Sequence, residues 1–206
     1  MADSTPETTP ASDAAHADIG IVCALKLEVT PYLDRCDRVR KYTGGDFVFR
    51  GGLTGEDYDI RVVIVEAGTG QDRAGRATQA LIDAHTPKWV LSVGFSGGLQ
   101  SDLRIGDIVM ADSIVDREGD ELKVDVRMSP DPERGWHVGR IVTVNEIVRT
   151  VAEKEELARQ ADALAVDMES IAVARVCVSS KVRFLAVRAI SDDLSEDLPP
   201  EVLSVF

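Results

Sequence analysis

From Asp18 onward, short apolar runs alternate with longer amphipathic ones. IGIVCA (Ile19–Ala24), FVFR (Phe47–Arg50), IRVVIVE (Ile60–Glu66), WVLSVGF (Trp89–Phe95) and DIVMA (Asp107–Ala111) read as strands. So do RIVTV (Arg140–Val144), ALAVD (Ala163–Asp167) and VRFLAVRAI (Val182–Ile190). Leu25 to Cys36 puts Leu25, Val29, Tyr32, Leu33 and Cys36 on one helical face. Helices are also expected over Gln71 to Ala84, Glu153 to Ala161 and Glu169 to Ser179. Arg117 to His137 is polar and interrupted by Pro and Gly, which predicts a surface excursion. Strands nearly bare of polar side chains, spaced by helices, predict an α/β fold. Its central mixed sheet is partly parallel and flanked by helices on both faces, giving three layers.

Composition narrows the function. The chain's 206 residues suffice for one domain with its own core, expected over residues 18–206. Met1 to Ala17 is mostly Ala, Ser, Thr, Pro and acid, and is expected to be a disordered tail. It lacks the basic and apolar regions of a secretory signal, and no apolar run approaches the ~20 residues of a membrane span. The formal net charge of -13 disfavours a nucleic-acid partner, because binding a phosphate backbone needs surplus Lys and Arg. A small ligand in a pocket suits it better. Cys23 and Cys177 lie in apolar runs and read as buried thiols. With Cys36 they form no CxxC, and an odd count fits a reducing, cytoplasmic setting. His16, His85 and His137 are far apart in sequence, make no metal or triad pattern, and are expected at the surface. Neither a metal nor an organic cofactor is expected.

In open α/β sheets, ligands bind beyond the carboxyl ends of the strands, so the residues just after each apolar run carry the information. Those residues are Leu25-Lys26-Leu27-Glu28, Glu66-Ala67-Gly68-Thr69-Gly70, Gly94-Phe95-Ser96-Gly97-Gly98, Asp167-Met168-Glu169-Ser170 and Ser191-Asp192-Asp193. Three acids, Glu28, Glu169 and Asp192, and two Gly-rich turns are thereby expected on one rim. Such a set suits cleavage of a glycosidic bond. One acid protonates the leaving group and a carboxylate takes a proton from water. Another faces the developing sugar cation. Each has a plainer reading: Glu28 and Glu169 as acids in the first turn of a helix, Asp192 as a turn residue. Gly68-Thr69-Gly70 with Gly75 is not a dinucleotide fingerprint, because four residues separate the second and third Gly. Arg188 sits inside an apolar strand and needs a partner if buried, the rim acids being candidates.

The stretches IGIVCALKLEV, EAGTGQDRAG, VGFSGGLQSDLRIGDIV, ALAVDMESIAVA and VRAISDD, in this order, run from Ile19 to Asp193. They resemble the purine and uridine phosphorylase superfamily, in particular its methylthioadenosine/S-adenosylhomocysteine nucleosidase branch. The resemblance implies a nucleoside-phosphorylase-like fold and roles by motif. Glu28 falls where nucleosidases place the carboxylate that helps activate water. Glu169 falls on the acid that grips the ribose hydroxyls, with Met168 packing on the sugar. Asp192 falls on the acid serving purine N7 and the amino group. Gly97, with Phe95 and Ser96, lines the cleft. Where nucleosidases put an aromatic on the base, this chain has Ile147, with Val148 beside it.

The implied activity is hydrolysis of an adenine nucleoside with a hydrophobic or thioether 5′ group. Methylthioadenosine and S-adenosylhomocysteine lead, and an adenosyl-lipid of the hopanoid pathway is an alternative. A phosphorylase is the rival, with Gly70 and Arg188 at a phosphate or water site; a non-catalytic nucleoside-binding protein is another. A homo-oligomer is implied by the family. The Asp112 to Gly139 segment looks shorter than its family counterpart, and a closing C-terminal helix is expected to be missing after Phe206.

Overall fold

The computed structural model describes residues 16–199 and 201. The expectations for the tail and for the chain's last residues fall largely outside that range. Ala17 is a correction: it is fully buried and its N–H bonds the His85 carbonyl at 2.9 Å, so the ordered domain begins before Asp18.

Ten described strands form one mixed sheet. They are β1 (Ile19–Cys23), β2 (Asp37–Gly44), β3 (Phe47–Thr54), β4 (Ile60–Glu66), β5 (Trp89–Gly98), β6 (Ile108–Asp116), β7 (Glu121–Lys123), β8 (Trp136–Thr143), β9 (Ala165–Asp167) and β10 (Arg183–Asp192). β1 is parallel to both β4 and β5. β5 then pairs with β10 along its length and with β9 at its tip, Gly97 to Val166. Because β10 pairs β6, β6 pairs β8 and β8 pairs β9, these five strands close a ring. A long strand that bonds different neighbours along its length must splay the sheet at that end, and the splayed end holds the candidate site.

Alternation explains why the strands are apolar throughout. Val22, Val63 and Val65 pack under helix α2 (Gln71–His85), alongside Val173 and Cys177 of helix α4 (Ser170–Ser179). Ile21, Cys23, Val62 and Ile64 face the other way, onto Val29 and Leu33. A strand covered on both sides has no polar face to show. Helix α3 (Val151–Ala161) packs Leu157 against Val142, Val144 and Val166 beside the ring.

Two local expectations are corrected, the helix after β1 and the surface placement of two histidines, and two strands are added. The helix expected over Leu25 to Cys36 is a 3-10 turn, Lys26–Glu28, followed by a single α turn, α1 (Thr30–Leu33). Pro31 starts that turn and bars a continuous helix, since it has no N–H to give and its ring clashes with the preceding turn. β2 was invisible to hydrophobic periodicity, because it is an exposed, charged edge strand held by β3. The Arg117 to His137 excursion contains β7, hairpin-paired to β6, and a 3-10 turn, Pro132–Arg134. His85 and His137 are buried, not at the surface. His85 meets the Tyr42 hydroxyl at 2.9 Å and His137 meets Asp107 at 3.1 Å, so each ring has a polar partner inside.

Candidate active site

At the carboxyl end of the ring, one cavity of ≈ 310 Å³ is bounded by Glu28, Glu169 and Asp192. Its size lies within the range of small-molecule sites. Phe95, Ser96 and Gly97 from the tip of β5, Ile147 and Val148 from the loop after β8, and Met168 from the loop after β9 also form its walls. The three acids expected to share one rim therefore do so.

Glu28 ends the 3-10 turn that comes after β1. Its Oε2 accepts from the Leu25 N–H at 2.8 Å and its Oε1 from the Phe95 N–H at 3.1 Å. The plainer reading of Glu28 as an acid serving its own turn is thus also true, and the same bonds hold the carboxylate still. Gly94 makes room for it: a Cβ there would lie 2.8 Å from Glu28 Oε1.

Glu169 precedes α4, and its Oε1 accepts from the Gly70 N–H at 2.8 Å. Burial pushes its carboxyl up from 4.5 to about 7, and the charge of Asp167 adds to the effect. The Gly70 bond and Arg188 pull the other way without cancelling it. Gly70 is corrected here as an anion donor, because Glu169 already takes its N–H.

Arg188 is 2% exposed. Nε donates to Asp167 Oδ2 at 2.8 Å, Nη1 to the Ser92 and Val187 carbonyls, and Nη2 to the Ser92 and Ser170 hydroxyls. With all five donors engaged, it has none left for phosphate, which corrects that assignment. Arg188 does border a second, small cavity of ≈ 10 Å³, together with Glu28, Glu169 and Gly94. That is the space of about one water.

Asp192 ends β10. Its Oδ1 lies 2.8 Å from the Ser191 hydroxyl, and its Oδ2 faces Lys154 Nζ at 2.5 Å. Gly97 leaves space for that carboxylate, since a Cβ at 97 would come within 3.1 Å of Oδ2. Lys154 carried no sequence signal: in EKEELARQ it reads as one more charge on a solvated helix face. Leu25, Leu27, Thr69 and Leu198 also line the cavity and were not singled out. Cys23 and Cys177 are buried as expected, and burial pushes both thiols up to about 12, so neither supplies a thiolate.

A five-strand ring with a cavity at its carboxyl end, walled by acids from three strand ends, has relatives. The family model of the Phosphorylase superfamily matches residues 18–134 and 133–204, and the chain belongs to that family. Among individual proteins, it is 27% identical over 207 residues to a 5'-methylthioadenosine/S-adenosylhomocysteine nucleosidase of Tolumonas auensis, covering 88% of each chain. In fold it is similar to the nucleosidase of that name from Neisseria meningitidis, solved with methylthio-immucillin-A. The TM-score is 0.76 at 22% identity, covering 86% of this chain and 87% of that one. A futalosine hydrolase mutant of Helicobacter pylori matches with a TM-score of 0.73 at 21% identity, covering 86% of each chain.

Proposed function

We propose that this protein is a nucleosidase that hydrolyses the N-glycosidic bond of an adenine nucleoside, releasing adenine. The observation that carries the reading is the pair of adjoining cavities. Glu28 and Glu169 border both the ligand-sized space and the one-water space, so a water held in the latter sits beside a carboxylate able to take its proton. Among the described residues lining the larger cavity there is no Lys or Arg, and Arg188 is fully engaged, which leaves phosphate without a cationic partner.

The walls supply the chemistry. Asp192 protonates or hydrogen-bonds purine N7 as the C1′–N9 bond breaks and its electron pair passes to the base. Glu169 accepts from the ribose hydroxyls and faces the sugar cation. Water adds to C1′ and loses its proton to Glu28. Ile147 and Val148 pack on the base, and Met168 on the sugar. Leu27 and Phe95, 51% and 39% exposed at the mouth, support an apolar or thioether 5′ group. They also support a homo-oligomer in which a second subunit covers that apolar rim. The three unpaired thiols support a cytoplasmic setting, and among the described residues no helix is long and apolar enough to cross a membrane.

The test is adenine release from a panel of 5′-methylthio, homocysteinyl and longer 5′-alkyl adenine nucleosides, with and without phosphate. Release in both buffers is expected, and Glu28→Gln should cut turnover by about 10²–10⁴-fold. Product that requires phosphate would make the enzyme a phosphorylase. No turnover of any bound nucleoside would make it a binding protein.

A further inference from the structure

Lys154 is the second-largest fully buried side chain in the described protein, at 0% exposure. Lysines are almost never so buried without a partner, because removing an ammonium from water costs several kcal/mol. Helix α3 is held where it needs to be for this contact. Thr150 caps it by accepting from the Glu153 N–H, and Asp197 Oδ1 accepts from the Val151 N–H at 2.7 Å. The Leu198 N–H bonds the Arg149 carbonyl at 2.9 Å, so the strap after Asp192 is tied to the helix start.

Lys154 Nζ donates to the Asp193 carbonyl at 2.7 Å. It also lies 2.5 Å from Asp192 Oδ2, so one ammonium ties the strap and the carboxyl together.

We infer that Lys154 is a positioning residue for leaving-group departure, acting through Asp192. It holds the Asp192 carboxyl at the purine end of the cavity, within reach of N7 as the base departs. A carboxyl out of place slows departure of the base more than it weakens substrate binding. A contact that holds it in place therefore raises kcat rather than lowering KM. The inference rests on the nucleosidase reading proposed for the same cavity.

The test compares Lys154→Met with the unmutated protein on two substrates sharing one 5′ group. One is the adenine nucleoside; the other is a p-nitrophenyl riboside, whose leaving group departs as a stable anion without a proton. Lys154→Met is expected to lower kcat on the adenine nucleoside by about 10²-fold, the scale of misplacing a reacting group. KM should change little, and the nitrophenyl substrate should be nearly unaffected. In an Asp192→Asn background the Lys154 substitution should add no further loss, because the two act as a unit.

Lys154→Gln keeps a donor for the Asp193 carbonyl while removing the charge. It should show the same selectivity, and it carries the test if the Met variant does not fold. A loss confined to KM, an equal loss on both substrates, or full additivity with Asp192→Asn would reduce Lys154 to a support for the strap and overturn the inference. An unmutated protein that releases no adenine would instead overturn the nucleosidase reading on which it stands.

Discussion

Glu169→Gln should make the protein more stable at pH 8 and nearly inactive. A carboxyl raised from 4.5 to about 7 binds its proton more tightly in the folded protein than in the unfolded chain. Between those two values the folded state holds the extra proton, so stability falls as pH climbs through the window and the full cost is present by pH 8. A shift of that size corresponds to at most about 3 kcal/mol. Gln carries no charge to desolvate, does not repel Asp167, and still offers an oxygen to the Gly70 N–H. At pH 8 the gain converts to about 5–10 °C in Tm for a domain of this length; at pH 5, where Glu169 is already neutral, it should be close to nil. Thermal unfolding of both proteins at the two pH values is the assay. The unmutated enzyme should also lose kcat/KM on the acid side of about 7, as the oxygen that accepts from the ribose hydroxyls takes up a proton. A Gln variant less stable than its parent at pH 8, or one whose Tm difference is the same at both pH values, would refute the reasoning.

Gly94→Ala places a methyl 2.8 Å from Glu28 Oε1 and should displace the carboxylate. Steady-state kinetics should show kcat falling by about 10²-fold, the cost of misplacing a reacting group, with far-UV circular dichroism unchanged; unaltered kcat would mean that Glu28 does not need its seat. Arg188→Met leaves Asp167 buried without its counter-charge and should cost about 3–5 kcal/mol by denaturant unfolding. Because Arg188 lowers the Glu169 carboxyl and Asp167 raises it, the acid limb of kcat/KM should move to higher pH; a limb that stays put would separate Arg188 from the site.

Strands β1, β4, β5 and β10 were legible because burial on both faces leaves an unbroken apolar run, which few other structures produce. The carboxyl ends of β1, β9 and β10 pointed to Glu28, Glu169 and Asp192 for the same reason, since the residues just past each run must lie on the rim. β2 was not legible: DRVRKYTG is held by the hydrogen bonds of β3 and hides no face. The short α1 shows apolar spacing winning on paper and Pro31 winning in the backbone. His85 and His137 looked like surface residues because their partners, Tyr42 and Asp107, lie 43 and 30 residues away in sequence. Lys154 failed to stand out for a related reason. Its helix is polar enough to be a solvated one, and its partners Asp192 and Asp193 lie nearly 40 residues away in sequence.

The rim acids fall into two kinds. Glu66, Asp167 and Asp192 are the last residues of β4, β9 and β10, and each meets a buried cation: Arg50, Arg188 and Lys154 respectively. Glu28 and Glu169 sit in turns beyond the strands and are held by backbone N–H groups of Leu25, Phe95 and Gly70. Strand ends are fixed by the sheet, so a charge there must be neutralised in place, and a long side chain from a neighbouring element does it. A turn can present several N–H groups to a carboxylate instead, which orients it without supplying a full positive charge. The two acids treated in this second way are the ones asked to take a proton from water and to face a sugar cation, and both tasks need a carboxylate whose negative charge has not been cancelled. Asp192 is the exception within the first kind: its task lies at the departing base, and the neighbouring ammonium fixes its carboxyl there.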